Sequence, residues 1–310
     1  MVNSKMVYSE DILGFSLENF PLYAFIFAYN ESDIIESTIK NAFIQGCDKV
    51  FVVDHCSDDN TVEKAIDAGA ILYDRYNSKY FEEDQKVLIA NRCMDEVSSK
   101  VNEKHIWWLF IDADELPHGP FGKTIKEYIR SISTEYRVIG STFLNHYPGN
   151  SIYKPGSNPA FAYPKAEMET LSYCNYNHMK HQLIRYDQDQ SRIIIGPGYH
   201  IFACDSCPLV EPIHGIFTHH FPYRSINTTS NRLRKIILED KLFKMKKKLK
   251  TTEKELAKNK SYNDVFRSNP DQHHWELRWQ NIRQAYRKHK ELYHWKELVP
   301  HEHAFFSGWE

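Results

Sequence analysis

Apolar residues along this chain fall either into short unbroken runs or into helical periodicities, and the two alternate. Leu22 to Tyr29 (LYAFIFAY) is an unbroken run that predicts a buried strand, and Asn30, Glu31 and Ser32 follow as turn and helix-cap residues. Ile34, Ile35, Thr38, Ile39 and Ala42 then recur at helical spacing, with Gly46 as a natural stop. Val50 to Val53 is the next run and ends at Asp54. Asp58 and Asp59 open a second helix that carries Val62, Ala65 and Ile66 on one face and stops at Gly69. Ala70 to Tyr73 predicts a third strand, and Asp84 to Val101 a helix leading into His105 to Pro117 (HIWWLFIDADELP). Ile106 to Ile111 lacks helical spacing and has the aromatic and β-branched composition of a strand covered on both faces. Four strands alternating with helices predict an α/β fold with a parallel, doubly wound sheet and right-handed crossovers.

From Tyr136 onward the pattern changes to longer strand-like runs: Arg137 to Tyr147, His181 to Tyr186, and Arg192 to Ile195 before the turn Gly196, Pro197, Gly198. The second half is therefore expected to be mixed rather than parallel. Tyr147 to Tyr176, rich in Pro, Asn and Tyr, predicts a long loop over the site. Ile213 to Ser225 (IHGIFTHHFPYRS) concentrates histidines, a tyrosine and an arginine. Helices are expected over roughly 229–250 and 273–295, so the chain divides into a domain over 1–225 and a helical C-terminal extension over 226–310. Within the first domain, 20–130 is expected to form a nucleotide-binding half and 131–225 a second, mixed half.

The 310 residues, 42% of them hydrophobic, suffice for a sizeable core, and a formal net charge of -2 gives no global field that would favour nucleic acid. Six cysteines without zinc-type spacing point to reduced thiols in a cytoplasmic protein, with Cys204 and Cys207 as loop thiols. No signal peptide or apolar run of about 20 residues is apparent. Ile226 to Lys260 carries twelve Lys or Arg against four Asp or Glu, either a solvated helix face or a peripheral contact with an anionic membrane. Trp275, Trp279 and Trp295 are expected in the core or in contacts between subunits of a homo-oligomer.

Chemistry gathers where the central strand ends. In open α/β sheets ligands bind outside the carboxyl ends of strands, which is where Asp112, Asp114 and Glu115 fall. Residues i and i+2 of an extended segment point the same way, so Asp112 and Asp114 are expected to converge on one Mg2+ or Mn2+. An acidic turn that only ends the strand is the plainer alternative, disfavoured because unpaired acids beside two tryptophans are costly to desolvate. Neither GxGxxG nor a P-loop follows the first strand, which argues against a dinucleotide dehydrogenase and against a P-loop kinase. His219 and His220 offer an imidazole as a further metal ligand, the alternative being a buried structural histidine. Arg224 suits a bidentate diphosphate clamp, with a salt bridge as its competitor, and Arg75 and Arg92 are further donors of this kind.

Three stretches, FIFAYNESDIIESTI, VVDHCSDDNT and LFIDADEL, together resemble the family 2 glycosyltransferases of GT-A fold over about residues 20 to 145. Asp54 is followed here by His55, where the family often has a second acid. The resemblance implies inverting, metal-dependent sugar transfer from a nucleoside diphosphate donor, most often UDP, to a glycan or lipid-linked acceptor, as in bacterial surface polysaccharide synthesis. It also implies that Ala28, Asn30 and Glu31 line the nucleoside pocket, that Asp54 accepts from the base, and that Asp112 and Asp114 hold ribose and metal-diphosphate. An inverting transfer needs a general base. Glu167, Glu169, Asp187, His200, Asp205 and Glu211 are all candidates, led by Glu211 and Asp205. Two other readings are a phosphohydrolase of the haloacid dehalogenase class, whose acidic motif sits on its first strand, and a non-catalytic binding module.

Overall fold

A computed structural model describes residues 19–77, 83–147, 152–168, 180–200, 202–204, 213–222, 224, 293–298 and 308–309. The expected helices over 229–250 and 273–292 lie outside them, as do Tyr223 and Cys207.

The first half follows the sequence closely. Strand β1 (Leu22–Ala28) leads to helix α1 (Ile35–Ile44), β2 (Lys49–Asp54) to α2 (Thr61–Asp67), and β3 (Ile71–Arg75) to α3 (Glu83–Ser98), before β4 (His105–Asp112). All four strands are parallel, with β1 between β4 and β2, and β3 outside β2. The chain winds outward from β1 in one direction and then returns to its other side, so a crevice opens between β1 and β4 at their carboxyl ends. Trp107, Leu109 and Ile111 pack on one face with Ile35, Ile39 and Ile125. Ile106, Trp108 and Phe110 pack on the other with Ile89, Cys93 and Met94 of α3. Covering on both faces explains why β4 shows no alternation.

The sequence does not announce β5 (Glu115–His118), a four-residue strand that contains Pro117 and begins at the last of the three acids. After α4 (Ile125–Arg130) comes β6 (Val138–His146), a short helix α5 (Pro159–Ala162), β7 (Lys165–Met168), β8 (Lys180–Asp187), β9 (Ile193–Ile195), β10 (Phe202–Cys204) and β11 (Ile213–His220). β8 pairs antiparallel with β4, β6 antiparallel with β8, and β11 parallel with β6 and antiparallel with β5, so the second half is mixed as expected. β9 and β10 form a separate two-stranded sheet.

Three expectations are corrected. The stretch over 147–176 is not loop throughout: Asn158 caps α5 by accepting from the Ala160 N–H at 3.0 Å, and β7 joins the main sheet beside β6. Tyr293 and His294 form β12 against β7, so the chain is extended there rather than helical, and α6 (Trp295–Leu298) is a single turn. Cys47, Cys56 and Cys93 are free, but Cys204 is disulfide-bonded, so the thiols are not all reduced. Among the described residues no helix is long and apolar enough to cross a membrane.

Candidate active site

Parallel pairing sets Phe27 beside Asp112 and Ala28 beside Asp54, which brings the ends of β4, β1 and β2 to one rim. Beyond β1 the chain turns at Asn30, held in the left-handed region at φ 51°, a conformation Asn tolerates better than most residues. The Asn30 side chain donates to Asp58 at 2.7 Å and accepts from the Asp58 N–H at 2.9 Å, so the first and second turns are laced together. Glu31 N–H donates to Thr61 Oγ1 at 2.8 Å. Asp54, fully buried, accepts from the Ser57 N–H at 3.1 Å and pairs with Arg75 at 3.0 Å. Asp54 is therefore engaged in shaping its own turn, and Arg75 is engaged with Asp54.

Asp112 and Asp114 do not share one set of partners. β4 ends at Asp112, and Ala113 and Asp114 form a turn into β5, so the alternation rule stops between them. Lys86 Nζ lies 2.7 Å from Asp112 Oδ1, and Lys180 Nζ 2.7 Å from Oδ2. Burial disfavours the Asp112 anion, but Lys180 and then Lys86 outweigh it and hold the carboxyl below the usual range. Glu115 accepts from Lys180, from Gln182 Nε2 at 2.8 Å and from the Asp112 N–H at 3.1 Å. Burial, opposed by Lys180 but reinforced by Asp112 and Asp114, pushes Glu115 up to about 7. The Tyr199 ring, brought in by the turn at Gly198, lies 4.5 Å from the Lys86 ammonium and 5.7 Å from that of Lys180.

Asp114 faces β11 and the segment just beyond that strand. Its Oδ2 is 3.8 Å from His220 Nε2 and 3.8 Å from Arg224 Nη1, and its carbonyl accepts from the Phe221 N–H at 2.9 Å. His220 Nδ1 is 2.8 Å from Asn145 Oδ1, so Nδ1 donates to that oxygen and Nε2 is the ring atom that faces Asp114. One ligand atom each from Asp114, Glu115 and His220 lie within 4.8 Å of one another. Carboxylate oxygens suit Mn2+ or Mg2+, and the added imidazole nitrogen favours Mn2+ of the two.

His219 points to the opposite side of β11. Its Nδ1 is 2.7 Å from His146 Nε2 and its Nε2 is 3.1 Å from His118 Nε2, all three rings buried. Burial holds both His219 and His146 well below the ordinary histidine value, His146 at about 3. Strand alternation thus gives His220 to the site and His219 to the interior, which corrects the expectation of a metal role for the latter. Arg224 is likewise not an open clamp: it donates to Asp33 at 2.7 Å and 3.0 Å and to Glu31, joining the turn after β1 to the segment after β11. Arg92 lies six residues past Lys86, about 9 Å along α3, in a partly exposed pair with Asp74, so the structure does not bring it to the site. Asp187 sits at the far end of the sheet with Arg185, Arg137 and His105. His200 accepts from His181 through its carbonyl. Glu169, Asp205, Glu211 and the Glu167 side chain lie outside the described residues.

Lys86 and Lys180 are the site residues that sequence reasoning missed. Neither lies in a motif, and only the pairing of β8 with β4 and the packing of α3 bring them together. Lys86 could have been flagged as a lysine in the first turn of an otherwise apolar helix face.

Comparison with known proteins gives a match between residues 23–200 and the model of glycosyl transferase family 2. Among solved structures, glucosyl-3-phosphoglycerate synthase from Mycobacterium tuberculosis, in complex with Mn2+, UDP and glucosyl-3-phosphoglycerate, is 18% identical with a TM-score of 0.26, covering 40% of this chain and 44% of that one. Mannosyl-3-phosphoglycerate synthase from Rubrobacter xylanophilus is 18% identical with a TM-score of 0.27, covering 43% of this chain and 42% of that one. The chain spans less than half the length of these structures. A search of curated proteins returned no match.

Proposed function

Because the chain belongs to glycosyl transferase family 2, we propose that it transfers a sugar from a nucleoside diphosphate donor to an acceptor hydroxyl with the help of Mn2+ or Mg2+. The observation that carries this reading is the approach of His220 Nε2 to Asp114 Oδ2, 3.8 Å apart, beyond the carboxyl end of the central strand. A divalent cation held there would supply positive charge opposite the diphosphate as it leaves. Asn145 orients His220, and Arg224 ties the turn at Glu31 to the segment after His220. Asp112 stands at the edge of the crevice between β1 and β4, where it is suited to accept from ribose hydroxyls.

In this reading residues 20–130 bind the donor nucleotide, 131–225 the acceptor, and 226–310 form an extension. Uridine is the base we favour and a glycan or lipid-linked hydroxyl the acceptor, with inversion at the anomeric carbon. Glu211 and Asp205 remain the general-base candidates from the sequence. A cytoplasmic location and a part in surface polysaccharide synthesis complete the proposal.

The test is a thermal-shift panel of nucleoside diphosphates with and without Mn2+. A nucleotide present at a hundred times its dissociation constant adds about 2.7 kcal/mol to stability, a readily measured upward shift. Stabilisation that needs both nucleotide and cation is the expected result. No shift from any nucleoside diphosphate, together with binding of DNA or RNA, would favour the non-catalytic module instead.

A further inference from the structure

The acids at the end of β4 already have cations of the protein's own. Lys86 meets Asp112 Oδ1, Lys180 meets Asp112 Oδ2 and Glu115 Oε1, and Gln182 meets Glu115 Oε2, so each carboxylate oxygen of both residues has a donor. Lys86 and Lys180 are more deeply set than Asp112, with side chains 5% and 13% exposed against 30%, and Glu115 is fully buried. Aromatic rings back both ammonium groups: Phe27 and Tyr199 for Lys86, Phe143 and Tyr199 for Lys180. A metal ion that took an oxygen from Asp112 or Glu115 would leave a buried ammonium short of its counter-charge, which is strongly unfavourable. Asp114 Oδ2 and His220 Nε2, 3.8 Å apart, lie within the roughly 4.2 Å that two metal bonds of about 2.1 Å can span.

Resting on the metal-dependent reading above, we propose that Lys86 and Lys180 are positioning residues that keep Asp112 and Glu115 out of the metal shell, so that the cation binds firmly only together with a nucleoside diphosphate. Two protein ligands leave most of an octahedral shell to water and phosphate oxygens, the usual arrangement for Mg2+ at nucleotide sites. Lys180 is the pivotal member, because among the described residues it is the one side chain that pairs with both acids. Replacing it with an apolar side chain frees Glu115 Oε1 and Asp112 Oδ2 while Lys86 and Gln182 remain as partners.

The experiment is titration of Mn2+ into the full chain, followed by loss of the free-ion electron paramagnetic resonance signal, with and without UDP. Wild-type protein is expected to bind Mn2+ at least tenfold more tightly with UDP than without. Lys180→Met should bind Mn2+ alone at least tenfold more tightly than wild type, with a smaller gain from UDP. Lys180→Arg, which keeps the charge, should restore wild-type behaviour. Should Lys180→Met fail to fold, Lys180→Gln and Lys86→Met are judged by the same criterion. A folded variant that binds Mn2+ no more tightly than wild type overturns the role of the lysines while leaving metal-dependent transfer intact. Wild-type protein that binds no Mn2+ even with UDP overturns both.

Discussion

His220 directs Nε2 at Asp114 Oδ2 across 3.8 Å, joining the turn after the central strand to the end of β11. If this pair carries the cation, Asp114→Asn and His220→Ala should each lower kcat/KM by at least about 100-fold, roughly 2.7 kcal/mol of transition-state stabilisation. Neither change should alter the far-ultraviolet circular dichroism. Sugar transfer at the parental rate by Asp114→Asn would remove the cation from this place.

Arg224 is expected to behave as a structural tie. Its guanidinium is buried between Glu31 and Asp33, so Arg224→Ala leaves two acids without their partner and should cost about 3–5 kcal/mol. Urea denaturation measures this directly. A loss below about 1 kcal/mol would return Arg224 to the role of an open clamp for phosphate.

The chain of imidazoles makes stability sensitive to acid. Burial depresses His146 to about 3, against an ordinary value near 6.5, so the folded protein binds this proton less well than the unfolded chain. The stability contributed by neutral His146 is complete above about pH 6.5. It falls by up to about 1.4 kcal/mol per unit as pH drops from there toward 3. His219 is displaced in the same direction. Melts of wild type and His146→Gln between pH 7 and 5 should show the steeper decline in wild type, and equal slopes would refute the assignment.

Ser98 tests the packing of the central strand against α3. Its hydroxyl accepts from the buried Trp108 Nε1 at 2.9 Å, and Ser98→Ala should cost about 1–3 kcal/mol by leaving the indole N–H without a partner. An unchanged denaturation midpoint would mean that water reaches the indole.

The sequence by itself was enough for β1, β2 and β4, for the helices between them and for the acids at their ends. Each of those strands is covered on both faces, so burial of a contiguous apolar run is written into adjacent residues. Local rules did not reach β5 and β7, four residues each, whose hydrogen bonds come from β11 and β6. Only the tertiary structure decided which of these acids lysines neutralise. Lys86 and Lys180 lie 26 and 68 positions from Asp112 and meet it because α3 and β8 flank the same strand. The division of His219 from His220 comes from the register of β11 against β5 and β6, which sends neighbouring side chains to opposite faces of the sheet. A motif names residue types, but charges in a low-dielectric interior are governed by whatever the fold sets beside them.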